Sequence, residues 1–153
     1  GQKNEDTNYK FRSFLKMKEP DRIDAITNRL YKQVSSQIDC IKCGNCCREK
    51  VPVITDDEIK IIRKHINIPA DEFDEKYLSK DEDGNNVFAH TPCKFLKDNK
   101  CEIYDLRPDS CRSYPHLHKK EFITRLFGVI DNYSICPIVY NVFELLKYEL
   151  KFR

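Results

Sequence analysis

Eight cysteines are the residues of this sequence best suited to chemistry: Cys40, Cys43, Cys46, Cys47, Cys93, Cys101, Cys111 and Cys136. Four of them stand in one block, Cys40-Ile41-Lys42-Cys43-Gly44-Asn45-Cys46-Cys47. A C-x2-C pair turns the chain back and presents both sulfurs to one metal. The spacing repeats, so Cys40, Cys43 and Cys46 also match the first three positions of the bacterial ferredoxin run. Gly44 can take a positive φ at little cost, which turns backbone N–H groups toward sulfur. Eight cysteines in 153 residues are too sparse for a disulfide-stapled mini-domain and too many for idle thiols. Metal in a reducing compartment is the chemistry they point to.

The second set is Cys93, Cys101 and Cys111, with Cys136 beyond. A hairpin carrying Cys93 and Cys101, followed by one helical turn carrying Cys111, can converge three sulfurs. Eight thiolates suffice for two four-cysteine centres, either Zn²⁺ or iron–sulfur. Adjacent side chains tend to diverge, so Cys46 and Cys47 are expected to serve different centres. With the ferredoxin-like triplet and the remote Cys136-Pro137 pair, the expected split is Cys40, Cys43, Cys46 and Cys136 for one, and Cys47, Cys93, Cys101 and Cys111 for the other. Either centre has a net charge of about −2, which Lys42, Arg48, Lys50, Arg107 and Arg112 are placed to offset. His65 reads as a helix-face residue, and His116 and His118 as loop residues, rather than ligands.

The elements that must carry these sulfurs are mostly helical. Residues 1–19 read as an N-terminal arm or short helix anchored by Tyr9, Phe11, Phe14, Leu15 and Met17. The rest, 20–153, reads as one cysteine-cluster metal-binding domain. Ile23, Ile26, Leu30, Val34 and Ile38 predict an amphipathic helix running into Cys40. Thr55 stands three before Glu58 and opens a second helix through a capping box, with Ile59, Ile62 and Ile66 on one face. Pro69 restarts a short helix with Phe73, Tyr77 and Leu78, and 80–86 read as a turn. Short strands are expected at 87–89, 94–96 and 102–104, with Lys97 to Lys100 as a hairpin turn. Pro108 suits the first position of a short helix over 109–113, and Pro137 that of a last helix with Val139, Val142, Phe143, Leu146 and Leu150. The fold class is therefore α+β, mostly helical, a small single domain with a cysteine-rich metal-binding centre and a short β-hairpin.

Composition excludes several other functions. Lys plus Arg number 27 and Asp plus Glu 25, a formal charge of +2, and the two signs are interspersed. No basic stripe argues for nucleic acid, and no basic amphipathic helix for a membrane surface. No run of about 18 apolar residues predicts a membrane span. There are four glycines, and no Gly-rich phosphate loop. The first ten residues lack an apolar run, so a secretory leader is not expected there and a cytoplasmic location is. No acid–base pair or nucleophile motif marks an enzyme, which leaves catalysis open. Tyr104, Arg107, Arg112 and Tyr114 are the polar residues nearest the cysteines in sequence and the first suspects for any reaction.

Four blocks in order now resemble a known family: Cys40-x2-Cys43-Gly-x-Cys46-Cys47, Pro92-Cys93-x-Phe95-Leu96, Cys101-x-Ile103-Tyr104-x2-Arg107-Pro108-x2-Cys111-Arg112-x-Tyr114-Pro115, and Cys136-Pro137. Over roughly residues 36–140 the chain is similar to the CxxCxxCC cysteine-cluster proteins, the YkgJ-like family of zinc- or iron-chelating domains. The resemblance implies metal binding by these cysteines. A similar cysteine domain occurs in flagellin lysine N-methylases, where an iron–sulfur cluster is implied. The expected function is a metal-binding protein with two centres, iron–sulfur clusters of the 4Fe–4S type ahead of Zn²⁺, in a redox or metal-handling role. Two alternatives stand beside it. One is a zinc-binding structural or interaction module. The other is a stand-alone relative of the methylases acting on protein side chains, with a protein as partner or substrate.

Overall fold

The computed structural model describes residues 2–153 and shows an α+β, mostly helical protein. The chain divides into two compact units. Residues 2–39 with Pro115–Arg153 form a helical unit, and Cys40–Tyr114 form a unit that holds seven of the eight cysteines.

In the helical unit, α1 (Gln2–Lys16) buries Asn8, Phe11 and Leu15, which recur at helical spacing along one stripe. Next comes α2 (Pro20–Ser35), where Pro20 sits in the first turn and the Glu19 carboxylate accepts from Asp21 N and Arg22 N. Its buried stripe is Ile23, Thr27, Leu30 and Val34, so Thr27 takes the place expected for Ile26. The helix also stops sooner than the apolar spacing predicts, and it does not run into Cys40. Ser35 Oγ turns back onto Lys32 O, and Ser36 Oγ onto Gln33 O at 2.7 Å. Serines at a helix end compete for backbone acceptors in this way and unwind the next turn.

The return segment opens with a short 3-10 turn, Phe122–Thr124, pinned by the Asp24 carboxylate, which accepts from Glu121 N and Phe122 N at 2.8 and 2.9 Å. A helix not foreseen from the sequence follows, α8 (Leu126–Tyr133), burying Leu126, Val129 and Ile130. Helix α9 (Pro137–Glu149) begins at Pro137 as expected and buries Ile138, Val139, Val142, Phe143 and Leu146. The Phe11 and Phe143 rings meet edge to face at 5.0 Å. Lys147 is also buried here. Its ammonium donates to Asn8 Oδ1 and Glu144 Oε1, both at 2.6 Å, and the Phe11, Tyr133 and Phe143 rings stand 5.4–5.9 Å away. The Tyr133 hydroxyl donates to the same Glu144 oxygen. Burial and that bond push the Tyr133 phenol well above its usual value.

The second unit begins with two short helical pieces, α3 (Cys40–Cys43) and α4 (Asn45–Glu49), joined through Gly44 at φ 64. Helix α5 (Asp56–Ile66) starts in the expected capping box: Glu58 N donates to Thr55 Oγ1, and Thr55 N donates to Glu58 Oε2. Helix α6 (Ala70–Tyr77) follows Pro69, and Leu78 leaves it to start a strand. Strand β1 (Leu78–Lys80) pairs antiparallel with β2 (Asn86–Phe88), with Leu78 opposite Phe88 and Lys80 opposite Asn86. Val53 bridges Val87 from the other side.

The hairpin exists but is shifted from the expected register. Its strands are β3 (Leu96–Lys97) and β4 (Lys100–Cys101), and the turn is only Asp98-Asn99, at φ 50 and 63. A two-residue turn with both φ positive matches strand twist, and Asp and Asn tolerate it best. Residues 104–106 form a 3-10 turn rather than a strand. Pro108 precedes α7 (Asp109–Arg112) as its cap instead of occupying its first position. The core of this unit is Ile54, Ile62, Phe73, Phe88, Phe95 and Ile103, with Cys93 and Cys101 packed against it.

Candidate metal centre

Cys93 and Cys101 pack on that core, and hydrogen bonds tie the short elements that carry Cys47 and Cys111 to their neighbours. Cys47 lies on α4, and its carbonyl accepts from Cys93 N at 2.7 Å, which joins the cysteine block to the Pro92-Cys93 segment. Leu96 N bonds back to Cys93 O at 3.0 Å, forming the turn into β3. Cys101 ends β4. Cys111 lies on α7, which is tied to the start of α5 because Asp109 N donates to Glu58 Oε1 at 2.8 Å. The Ser110 hydroxyl fixes the same turn by donating to Val53 O.

The result is a neighbourhood of four thiols, Cys47, Cys93, Cys101 and Cys111, each within the electrostatic field of the others. Their states differ. A side-chain hydrogen bond from Cys46 lowers the Cys47 thiol to about 6 against the opposing effect of burial, with help from the Arg107 and Arg48 charges. Burial raises Cys93 and Cys101, and the Cys47 charge raises both further. Burial pushes Cys111 up to about 12, reinforced by Cys93, Cys47 and Cys101. The thiolate form is thus favoured at Cys47 and disfavoured at Cys93, Cys101 and Cys111.

Backbone N–H groups already point at two of these sulfurs. The N–H groups of Phe95 and Leu96 favour the Cys93 thiolate, and that of Ile103 the Cys101 thiolate, against the effect of burial. Such N–H···S bonds stabilise a thiolate and orient it toward a metal. The donor set contains only sulfur, which suits zinc or iron–sulfur rather than calcium or magnesium. The chemistry of the set fits the metal. The thiols are neighbours without being closed into coordination: among the described residues, no three His, Cys, Asp or Glu side chains form a ready-made ligand set.

The Cys46–Cys47 bond corrects one expectation. The two adjacent side chains do not diverge but are hydrogen-bonded to each other on α4. Cys43 closes α3, half-buried, and its carbonyl accepts from Arg48 Nη1 at 3.1 Å. Cys40 opens α3 and is exposed, while Cys136 caps α9 in the helical unit and is buried.

The polar suspects are placed as follows. Arg107 lies over the Tyr104 ring, 3.6 Å from its centroid, and donates Nε to Tyr104 O at 2.8 Å, which fixes its charge beside Cys47, Cys101 and Cys111. Arg112 donates to Arg107 O at 3.0 Å. Tyr114 ends the unit, half-buried. His65 is exposed on α5, and His118 is exposed with its ring 5.6 Å from Tyr31. The carbonyl of His116 accepts from Arg125. Sequence reasoning missed Asn99, whose side chain holds the Cys40–Cys47 block; it reads there only as a turn residue.

A cluster of half-buried thiols with cationic side chains beside it defines a thiophilic metal-chelating class of domain. The chain belongs to the CxxCxxCC family, described as "Putative zinc- or iron-chelating domain", which matches residues 39–127. It is 36% identical over 81 residues to an uncharacterized protein of Methanocaldococcus jannaschii, a match covering 50% of this chain and 43% of that relative. The chain thus matches less than half the length of this relative. No solved structure matches it.

Proposed function

We propose that this protein chelates metal through two cysteine centres and that Cys47, Cys93, Cys101 and Cys111 make the first. The observation that carries the reading is that short elements bring these cysteines together: Cys93 N bonds to Cys47 O at 2.7 Å, Cys93 and Cys101 pack on one core, and the charges of Arg48 and Arg107 favour the Cys47 thiolate. Cys40, Cys43 and Cys46 supply the second set. An iron–sulfur cluster is the reading we favour, in a redox or metal-handling role within a reducing compartment. The ferredoxin-like Cys40-x2-Cys43-x2-Cys46 triplet supports it. When bound, such a cluster supplies one-electron chemistry. The protein's own residues hold it, shield it against the Ile54–Phe95 core and offset its charge with Arg48 and Arg107.

A zinc-binding structural module is the second reading. Its support is the packing of Cys93 and Cys101 on the hydrophobic core, as a fold-holding site requires. A protein partner fits either reading, and a methylase-like activity on protein side chains is the catalytic alternative. Among the described residues no single helix is long and apolar enough to cross a membrane.

Anaerobic purification followed by iron, sulfide and zinc analysis tests the proposal. Brown protein with iron and acid-labile sulfide in equal amounts supports the cluster. Colourless protein holding stoichiometric zinc supports the module. Cys111→Ser protein that binds as much metal as the parent overturns the assignment of the first centre.

A further inference from the structure

The structure assigns a positioning role to Arg48 and Asn99: together they form a latch that holds the Cys40–Cys47 block on the β3–β4 turn. The inference rests on the metal reading above and adds to it how the two cysteine-bearing segments are registered.

Four groups close the latch. Arg48 Nη1 donates to Cys43 O at 3.1 Å, and Arg48 Nη2 donates to Asn99 Oδ1. Asn99 Nδ2 donates to Lys42 O at 2.5 Å. The carbonyls of Lys42 and Cys43 belong to the end of α3. One amide and one guanidinium therefore serve both carbonyls and bond to each other. The planar guanidinium fork suits this double donation, and a lysine ammonium would not reproduce it.

Gly44 shows how tightly the latch is drawn. A Cβ built there would stand 2.7 Å from Asn99 Oδ1 and 3.0 Å from Arg48 Nη1. The latch fills the space a side chain would need, and the backbone at φ +64 already disfavours one. Asn99 is itself fixed in the left-handed region at φ 63, so its side chain leaves the turn in one direction. The consequence is register. Asn99 is two residues before Cys101, and Arg48 directly follows Cys47, so joining them sets the cysteine block against the strand that carries the next thiol.

The test uses the full chain, reduced and metal-free, with Co²⁺ as the probe because its thiolate charge-transfer and ligand-field bands report ligand number and geometry. Asn99→Gly keeps the turn and removes the latch. Arg48→Gln leaves the turn untouched and serves if the glycine variant does not fold. Asn99→Asp keeps the acceptor for Arg48 and should restore part of the effect. We expect amide exchange over residues 40–50 to quicken several-fold in Asn99→Gly. We expect Co²⁺ affinity to fall about tenfold, the scale of outer-shell substitutions at metal sites, with altered ligand-field bands. Unchanged exchange overturns the latch. Faster exchange with parental affinity and bands shows a purely structural contact and overturns the positioning role. A parent chain that binds no Co²⁺ overturns the metal reading and this inference together, while the exchange arm still reports whether the latch exists.

Discussion

Removing the metal should leave one cysteine of the second unit far more reactive than its neighbours. The perturbation is a small disulfide reagent, substoichiometric and applied to reduced, metal-free protein at pH 7. Cys47, lowered to about 6, is about nine-tenths thiolate there. Cys111, pushed up to about 12, is thiolate in about one molecule in 10⁵. Intrinsic nucleophilicity runs the other way. A Brønsted slope of about 0.4–0.5 over this difference returns roughly 10²–10³ to Cys111. The net expectation is labelling of Cys47 faster than Cys111 by on the order of 10², before burial slows Cys111 further. Mass mapping of the labelled peptides after short pulses, repeated from pH 5 to 9, gives both the ratio and the titration. The Cys47 rate should rise through a midpoint near 6 and then level off. Arg107→Ala should move that midpoint upward, since the Arg107 charge favours the thiolate. A Cys47 profile still climbing above pH 8, or Cys111 labelled within tenfold of it, would refute the reasoning.

Other expectations follow from packing and linkage. Glu58→Ala removes the acceptor for both Thr55 N and Asp109 N and should lower stability in urea by about 1–2 kcal/mol. Burial opposes ionisation of Glu58, but those N–H bonds outweigh it and hold the carboxyl below its ordinary value. Its contribution is therefore complete above the unfolded carboxyl range and lost as pH falls through the lower folded value. Parent and Glu58→Gln unfolding curves should converge on acidification below about pH 4. Lys147→Met strands Asn8 Oδ1, leaves the Glu144 carboxylate with Tyr133 but without its ammonium, and should cost about 1–3 kcal/mol by the same assay; an unchanged midpoint would show that the cluster contributes nothing net. Zinc at about a thousandfold its dissociation constant should stabilise the folded chain by about 4 kcal/mol, and Cys101→Ser should abolish most of that gain in a calorimetric scan.

The parts of this protein legible in its sequence are those set by local chemistry. Thr55 and Glu58 announce a capping box through their spacing, and Pro137 announces a helix start through its fixed φ; both stand where expected. The C-x2-C-x2-C-C block announces metal before any geometry is known, and the family match agrees. What escaped depends on competition between near-equal local options. Helix α8 has Leu126, Val129 and Ile130 at helical spacing, but Gly128 inside a short segment weakens the signal. The end of α2 was hidden because Ile38 continues the apolar period while Ser35 and Ser36 unwind the backbone. The hairpin slipped inward because Asp98 and Asn99 accept positive φ, which allows a tighter turn than four residues. The Asn99 latch was invisible in principle, since its partners lie about 50 positions away along the chain.

The order of the two units along the chain has a kinetic consequence. Residues 2–39 and Pro115–Arg153 make up the helical unit, and the cysteine unit is a single uninterrupted insertion between Asp39 and Pro115. The helical unit must therefore bring together segments separated by about 75 residues before α2 can meet α9, and closing a flexible loop of that length costs roughly 4 kcal/mol of chain entropy. The insertion has no such handicap, since its contacts lie within one continuous stretch. Folding of the insertion first turns a long floppy loop into a compact one and removes much of that closure cost. Metal supply during synthesis would then set the pace of the helical unit without any metal ligand in α1 or α2, and metal starvation would slow assembly of α2 on α9 as well as loss of the centre itself.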